Sequence, residues 1–469
     1  MPGRSRWIPP WRVTKQRTDL VKPSLLFRTP ALAAGFLGFG LLASSAQGAD
    51  LLSVYRDALG YDAQYASAKA SADAGREALP QGRAGLLPNI NLVANSQSND
   101  VYFASTNASP PITRSMNYRS SGWTVNLTQP LFRWDRWANY TQAEAKVAAS
   151  EAQFGLAKQD LIVRVAQAYF DVLQAQEAQS AAEANRKAIA EQLEEAKKAF
   201  EVGTKTVVEV HDAQARYDLA TAQEIVAVND QEVKRQQLRL VAGKPYAGLK
   251  DLRNGITLLR PEPDNGEKWV DSAEQGYLGV VAAQAQFAVA EQEVSKQRAG
   301  HLPSLDLVAS RGRASQDNNI STLVGGDMTS TVVGVQLTVP IFAGGAVNSA
   351  VSQAVALKEK ANADLDFARR NAALLARQSY LGVNAGLAQV KALEAALISS
   401  QSALESNKLG FEVGVRTNIE VLNAQSQYYD TRQKLKKARL DTLAALLKLK
   451  GAAGTLSDVD VEAINGLLE

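Results

Sequence analysis

The sequence predicts an α+β protein built from two copies of one unit, each giving two amphipathic strands and a pair of long helices. Three observations carry this. The two halves repeat at an offset of about 211 residues. In each half, two segments alternate apolar and polar residues with a period of two. Downstream of each strand pair, stretches dominated by Ala, Gln, Glu, Lys and Leu run without proline, from Leu131 to Lys244 and everywhere after Pro340.

Residues 1–48 read as a signal peptide. They carry seven basic residues against a single acid, Asp19, followed by an apolar run from Ala31 to Ala43 and then Ser44, Ser45, Ala46, Gln47 and Gly48. A run of 13 residues is short for a spanning helix, which needs about 20. A cut after Gly48 puts Ala46 and Gly48 at the two small-residue positions that a signal peptidase reads. The whole chain is +3, so removing this leader leaves a mature chain of net −3. Its basic pI therefore belongs to the leader, and nucleic acid is not an expected partner. Beyond the leader no apolar run approaches spanning length, so a mature membrane form is expected to be a β-barrel.

Cysteine is absent, which excludes disulfides, thiolate metal sites and an acylated N-terminal cysteine. His211 and His301 are the only histidines and are far apart. No nucleotide-cradling loop, clustered nucleophile or metal set is present, so the expectation is no enzyme, no metal and no cofactor.

The repeat is dense. Arg83-Ala-Gly-Leu-Leu-Pro88 matches Arg298-Ala-Gly-His-Leu-Pro303, Val125-Asn-Leu-Thr-Gln-Pro130 matches Val335-Gln-Leu-Thr-Val-Pro340, and Phe200-Glu-Val-Gly203 matches Phe411-Glu-Val-Gly414. Tyr169 pairs with Tyr380 and Tyr217 with Tyr428. This sets the domains at 49–258 and 259–469. The first has a lead-in helix, strands at about 88–97 and 119–129 and helices at 131–202 and 205–241. The second has a lead-in helix, strands at about 303–312 and 330–339, helices at 341–413 and 416–450 and a tail. In the strands, Ile90, Leu92 and Ala94 oppose Asn91, Val93 and Asn95; Trp123, Val125 and Leu127 oppose Thr124, Asn126 and Thr128. Leu305, Leu307 and Ala309 likewise oppose Asp306, Val308 and Ser310, and Val333, Val335 and Leu337 oppose Val332, Gly334 and Gln336. That pattern suits a soluble sheet or a barrel wall equally. Each strand pair is expected to end at a proline, Pro130 or Pro340, and the loops at 98–118 and 313–329 are polar. Phe132, Trp134, Trp137 and Tyr140 cluster where a membrane-interface belt would sit.

A helix over 131–202 would be about 108 Å long. Such rods need side-by-side partners. Closed membrane barrels begin at about eight strands. Four strands per chain therefore demand several copies, and counting alone does not choose between two, three or four.

The chain resembles the TolC family of outer-membrane efflux and type I secretion channels. The most specific blocks are Gly300-His-Leu-Pro-Ser-Leu-Asp-Leu-Val-Ala-Ser310, Leu127-Thr-Gln-Pro-Leu-Phe132, Val413-Gly-Val-Arg-Thr417 with Glu420-Val-Leu-Asn-Ala424, and Gly454-Thr-Leu-Ser-Asp-Val-Asp460. The resemblance implies a homotrimer whose twelve strands form a barrel in outer-membrane lipid, continued by a helical tunnel across the periplasm. It implies an equatorial belt from residues 243–270 and the tail. A periplasmic adaptor with an inner-membrane pump or ABC transporter would dock at the tip. The turns Val202-Gly203-Thr204 and Val413-Gly414-Val415 would form that tip, although a plain helix C-cap would use the same glycines. Arg416 would latch to an acidic residue of a neighbouring helix pair, Glu209, and Glu420 with Asn423 would line the constriction. The family has two acids there; with Asn423 a trimer carries three carboxylates, which implies weaker cation preference. Phe411 stands where tyrosine is common, so a latch hydrogen bond from that position is absent. The competing expectation is a periplasmic coiled-coil scaffold or adaptor protein, which would share the long helices but not the strands.

The leader reading is checked by N-terminal sequencing and intact mass of the exported protein. Both should start the chain at Ala49; a retained apolar run would make it an anchor.

Overall fold

The computed structural model describes residues 48–469 apart from 106, 108, 109, 111, 205, 254, 257, 259 and 319–323. The expected signal peptide, except Gly48, lies outside these residues. The chain opens with three short helices, α1 (Leu51–Tyr61), α2 (Ala63–Arg76) and α3 (Ala78–Ala84), then strands β1 (Asn89–Ser105) and β2 (Ile112–Phe132). Helices α4 (Trp134–Glu201) and α5 (Val207–Ala242) follow. The second half repeats the plan with α6 (Gly266–Gly276), α7 (Leu278–Arg298), β3 (Ser304–Gln316), β4 (Gly326–Thr338), α8 (Ala346–Glu412), α9 (Asn418–Ala452) and a final α10 (Asp458–Asn465).

The lead-in is segmented where one helix was expected. Asp62 breaks it between α1 and α2, because its carboxylate accepts from the Tyr65 N–H at 2.7 Å and so starts a new helix. The same Asp62 is buried and accepts from both terminal guanidinium nitrogens of Arg164 of α4, at 2.9 and 3.0 Å. Those bonds, with the Tyr65 cap, hold its pKa below the usual carboxylate range against the opposing effect of burial. In the second half the break falls at Tyr277, which is extended between α6 and α7.

The four strands form one antiparallel sheet in the order β1-β2-β3-β4. Its register brings the four predicted apolar sides together. Ile90 lies opposite Leu127, Leu127 opposite Ala309, and Ala309 opposite Val333. Opposed residues share a face, so Leu92, Val125, Leu307, Val335 and Leu337 extend the same apolar surface. Asn91, Asn126 and Ser310 lie across from one another on the other face. Ile90, Leu92, Val333, Val335 and Leu337 are each more than half exposed, so nothing among the described residues covers this apolar surface. β1 and β4 are both unpaired on their outer edges. A soluble sheet would bury one face; this one buries neither.

The strands are longer than their apolar patterns. β1 and β2 extend as far as Ser105 and Ile112 into the expected polar loop, and β3 and β4 as far as Gln316 and Gly326. Cross-strand backbone pairing sustains a hairpin after the alternation stops. β2 also runs past Pro130 to Phe132, because the register shifts there and the bulge leaves the proline's missing N–H without consequence. That is why α4 starts at Trp134. α8 starts at Ala346 because Gly344 and Gly345 both adopt positive φ.

α4 and α8 hold 68 and 67 residues, each about 100 Å long. α4 packs against α5, α7 and α9; α8 packs against α9, α7 and α6. The long helices nearest the turns therefore run α5, α4, α9, α8 in space. α5 and α8 form the two flanks, and they expose Leu219, Ile225, Val226 and Leu240 on one and Phe367, Leu381 and Ile398 on the other. By length and composition alone α8 could cross a membrane, which corrects the expectation of no such run, yet only 11 % of that stretch is buried. The face of α8 turned away from α9, α7 and α6 lacks a partner among the described residues.

The largest core lies where α4, α9, α1 and α10 meet. Leu161, Ile162, Val165, Tyr169, Phe170 and Leu173 of α4 pack with Leu440 and Leu447 of α9 and with Leu51, Val54, Val461 and Ile464. Each such side chain contributes about 1.5–3 kcal/mol. Around it Ala49 bridges in parallel to Leu249, and Leu252 bridges antiparallel to Leu468. The buried Tyr169 hydroxyl anchors this ladder, 2.7 Å from the Lys250 carbonyl oxygen and 3.0 Å from that of Ala49. Lys436 of α9 adds ion pairs to Glu177 of α4 at 3.1 Å and to Asp251 at 2.6 Å.

Tyr169→Phe keeps the ring but withdraws the donor from two part-buried carbonyls. It should cost about 1–3 kcal/mol, read as a lower Tm in detergent and faster proteolysis at 248–253. An unchanged Tm would remove the hydroxyl from the account of the ladder.

Candidate functional site

The two helix-to-helix turns have the same backbone. Val202 and Val413 both sit at φ −90°, ψ 4°, and Gly203 and Gly414 both at φ 78°. The glycine N–H closes onto Phe200 in one turn and Phe411 in the other, and the following N–H reaches back to Ala199 or Gly410 at 2.9 Å. Thr206 and Thr417 then begin α5 and α9 from extended conformations. A β-carbon on either glycine would meet no neighbour, so the requirement for glycine is the left-handed φ alone. Val202, Val413 and Val415 are 74, 65 and 76 % exposed, and Thr204 is exposed beside them. Phe200, Phe411, Leu409, Val208 and Ile419 extend the apolar surface.

The sequence-selected charged residues separate into two settings. Glu420 is the third residue of α9 and completes a capping box with Thr417. One carboxylate oxygen accepts from the Thr417 N–H at 2.8 Å and its hydroxyl at 3.0 Å. The other accepts from Arg416 Nη1 at 2.8 Å. The Thr417 backbone bond, then Arg416, hold the Glu420 pKa below its ordinary value. Glu209 occupies the matching position on α5 but no capping box forms there, and its carboxylate is exposed and unpartnered among the described residues. Within the chain Arg416 thus meets Glu420 and not Glu209. Asn423 is exposed one turn beyond Glu420.

Asn418 is a residue the sequence reading passed over. Its Nδ2 donates to Glu195 of α4 at 2.6 Å, tying the start of α9 to the other hairpin. The signal was a break in the repeat, since the equivalent position is Val207. Near the sheet, Phe132, Trp134 and Trp137 are exposed, and Trp137 lies 5.9 Å from the Tyr140 ring.

Sequence comparison matches residues 54–244 and 269–455 to the family model described as outer membrane efflux protein, one segment in each repeat. The chain belongs to that family. The outer membrane protein TolC of Vibrio cholerae is 35 % identical over 432 residues, covering 92 % of this chain and 96 % of the relative. The alkaline protease secretion protein AprF of Pseudomonas aeruginosa is 31 % identical, covering 90 % and 88 %. Among solved structures, the CmeC outer membrane channel of Campylobacter jejuni superposes with TM-score 0.74 at 16 % identity, over 93 % of this chain and 97 % of that one. The chain is therefore an outer-membrane channel protein of the TolC type, an exit duct for efflux or type I secretion. Its family is one of channels, not of enzymes. The uncovered apolar sheet is its membrane wall.

Gly414→Ala should strain the second turn by about 1–2 kcal/mol without any clash. Amide hydrogen exchange over 409–416 should accelerate roughly five- to thirtyfold. Unaltered exchange would mean that the turn tolerates the left-handed conformation without glycine.

Proposed function

We propose that three copies close their four-stranded sheets into one twelve-stranded barrel and their helices into one tunnel. The observation that carries this is the sheet itself: one face carries an apolar patch that nothing among the described residues covers, and both edges are open. Unpaired edges are not tolerated in lipid, and four strands are too few to close. The flanks formed by α5 and α8 are bare of long-helix partners at the same time, so the copy that completes the sheet also completes the helix ring. A coiled-coil scaffold would have no use for an uncovered apolar sheet.

The duct conducts passively, and its energy comes from partners. The exposed valines and phenylalanines of the two turns form an apolar rim of the kind a periplasmic adaptor can cover, joining the duct to an inner-membrane pump or ABC transporter. Three Glu420 carboxylates ring the constriction with Asn423 one turn beyond, and this fixed negative charge gives weak cation preference.

The latch joins Arg416 of one copy to Glu209 of the next. α5 is a flank, Glu209 is unpartnered among the described residues, and Arg416 sits on the hairpin that forms the opposite flank. An exposed arginine–carboxylate pair is directional yet breakable.

Planar-bilayer recording of the mature protein beside Arg416→Ser tests this reading. Small cation-preferring steps in the parent and larger ones in the variant are expected. Equal steps would discard the latch, and silence from a folded oligomer would discard the conduit.

A further inference from the structure

We infer that Glu420 is a gating residue in its own right: it competes with Glu209 of the adjacent copy for Arg416, so the gate is an exchange of one guanidinium between two carboxylates. This rests on the latch proposed above and adds a second station to it.

The duplication supplies the two stations. Glu209 and Glu420 are the same position of the repeat, 211 residues apart, and both stand three residues into a helix that follows a tip turn. They differ in their surroundings. The Glu420 carboxylate is fixed by the Thr417 N–H and hydroxyl before any cation arrives. An exposed ion pair is weak chiefly because two mobile side chains must be held together. Here only the arginine needs to be held, so the local pair forms at a reduced entropic cost. The Arg416 stem is seated as well. A β-carbon at Gly410 would lie 2.5 Å from Arg416 Cγ, so the missing side chain leaves the channel along which the arginine lies. The repeat-equivalent residue is Ala199, and the equivalent of Arg416 is Lys205. The seat and the bidentate-capable cation therefore occur together in the second hairpin.

Glu209 carries no cap and, among the described residues, no partner, so it gains a bond by taking Arg416 from Glu420. The latched duct pairs Arg416 with Glu209 and leaves Glu420 as a bare capped carboxylate. The released duct returns Arg416 to Glu420. Release then costs only the difference between two ion pairs, not the whole of one.

The consequence for Glu420→Gln is opposite in kind to that of a plain pore charge. Glutamine also completes a capping box, so the start of α9 is retained. Its neutral amide holds the guanidinium less strongly, which leaves Arg416 to Glu209 and tightens the latch. The frequency of full openings of the purified mature protein in planar bilayers should fall by about two- to fivefold, the range an exposed ion pair spans. In a Glu209→Gln background, where no latch exists to tighten, the same substitution should leave opening frequency unchanged. Loss of the effect in that background supports the exchange. An equal effect in both backgrounds, or none in either, overturns it and leaves Glu420 as a charge in the pore. Glu209→Gln alone that opens no more often than the parent would instead remove the latch on which the exchange rests.

Discussion

Backbone amides at the edge of a sheet must find partners, and in hydrocarbon only another strand can supply them. Each unmet group costs several kcal/mol. Among the described residues the four strands leave two full edges and an uncovered apolar patch, and the rest of the molecule follows from meeting that demand. The helices inherit the same unsatisfied geometry. Having α4 and α9 at the centre and α5 and α8 at the flanks repeats, in helix form, a sheet with β2 and β3 inside and β1 and β4 outside. One association between copies completes both layers.

The duplication gives so regular an object the means to carry the proposed gate. Two turns with matching φ and ψ place two carboxylates at equivalent positions, and divergence then gives them different surroundings. Thr417 and Glu420 close a capping box while Thr206 and Glu209 do not; Asn418 reaches Glu195 where Val207 reaches nothing polar. The asymmetry between hairpins resides in a few polar contacts on an unchanged backbone.

Much of the fold was legible because period-two alternation and proline-free helical runs are local signals. The apolar sides of all four strands could be assigned residue by residue, and the register places them on one face. Strand ends were less legible. Residues 98–105 carry no alternation and are strand because residues 112–119 pair with them. The bulge at Pro130 reads from sequence as a stop. At the tips, the spacing of Arg416 and Glu420 was in view, but spacing cannot show that Glu420 is already committed to the Thr417 cap. Tyr169 stood out as a repeated tyrosine, yet its carbonyl partners lie 81 and 120 positions away, beyond any local pattern.

The short ladder about Tyr169 works as a clasp on the whole chain. Asn465 donates to Asp50 across 415 positions, and Glu469 exchanges backbone bonds with Asp251 beside the Ala49 bridge. Closing so long a loop is entropically slow, and it cannot occur before the residues near 465 have emerged. The rods can form as they are delivered, but the girdle at mid-height fastens last. Biogenesis thus carries a built-in completeness check: a chain cut short before α10 would have its hairpins and strands yet no buckle to hold them in line.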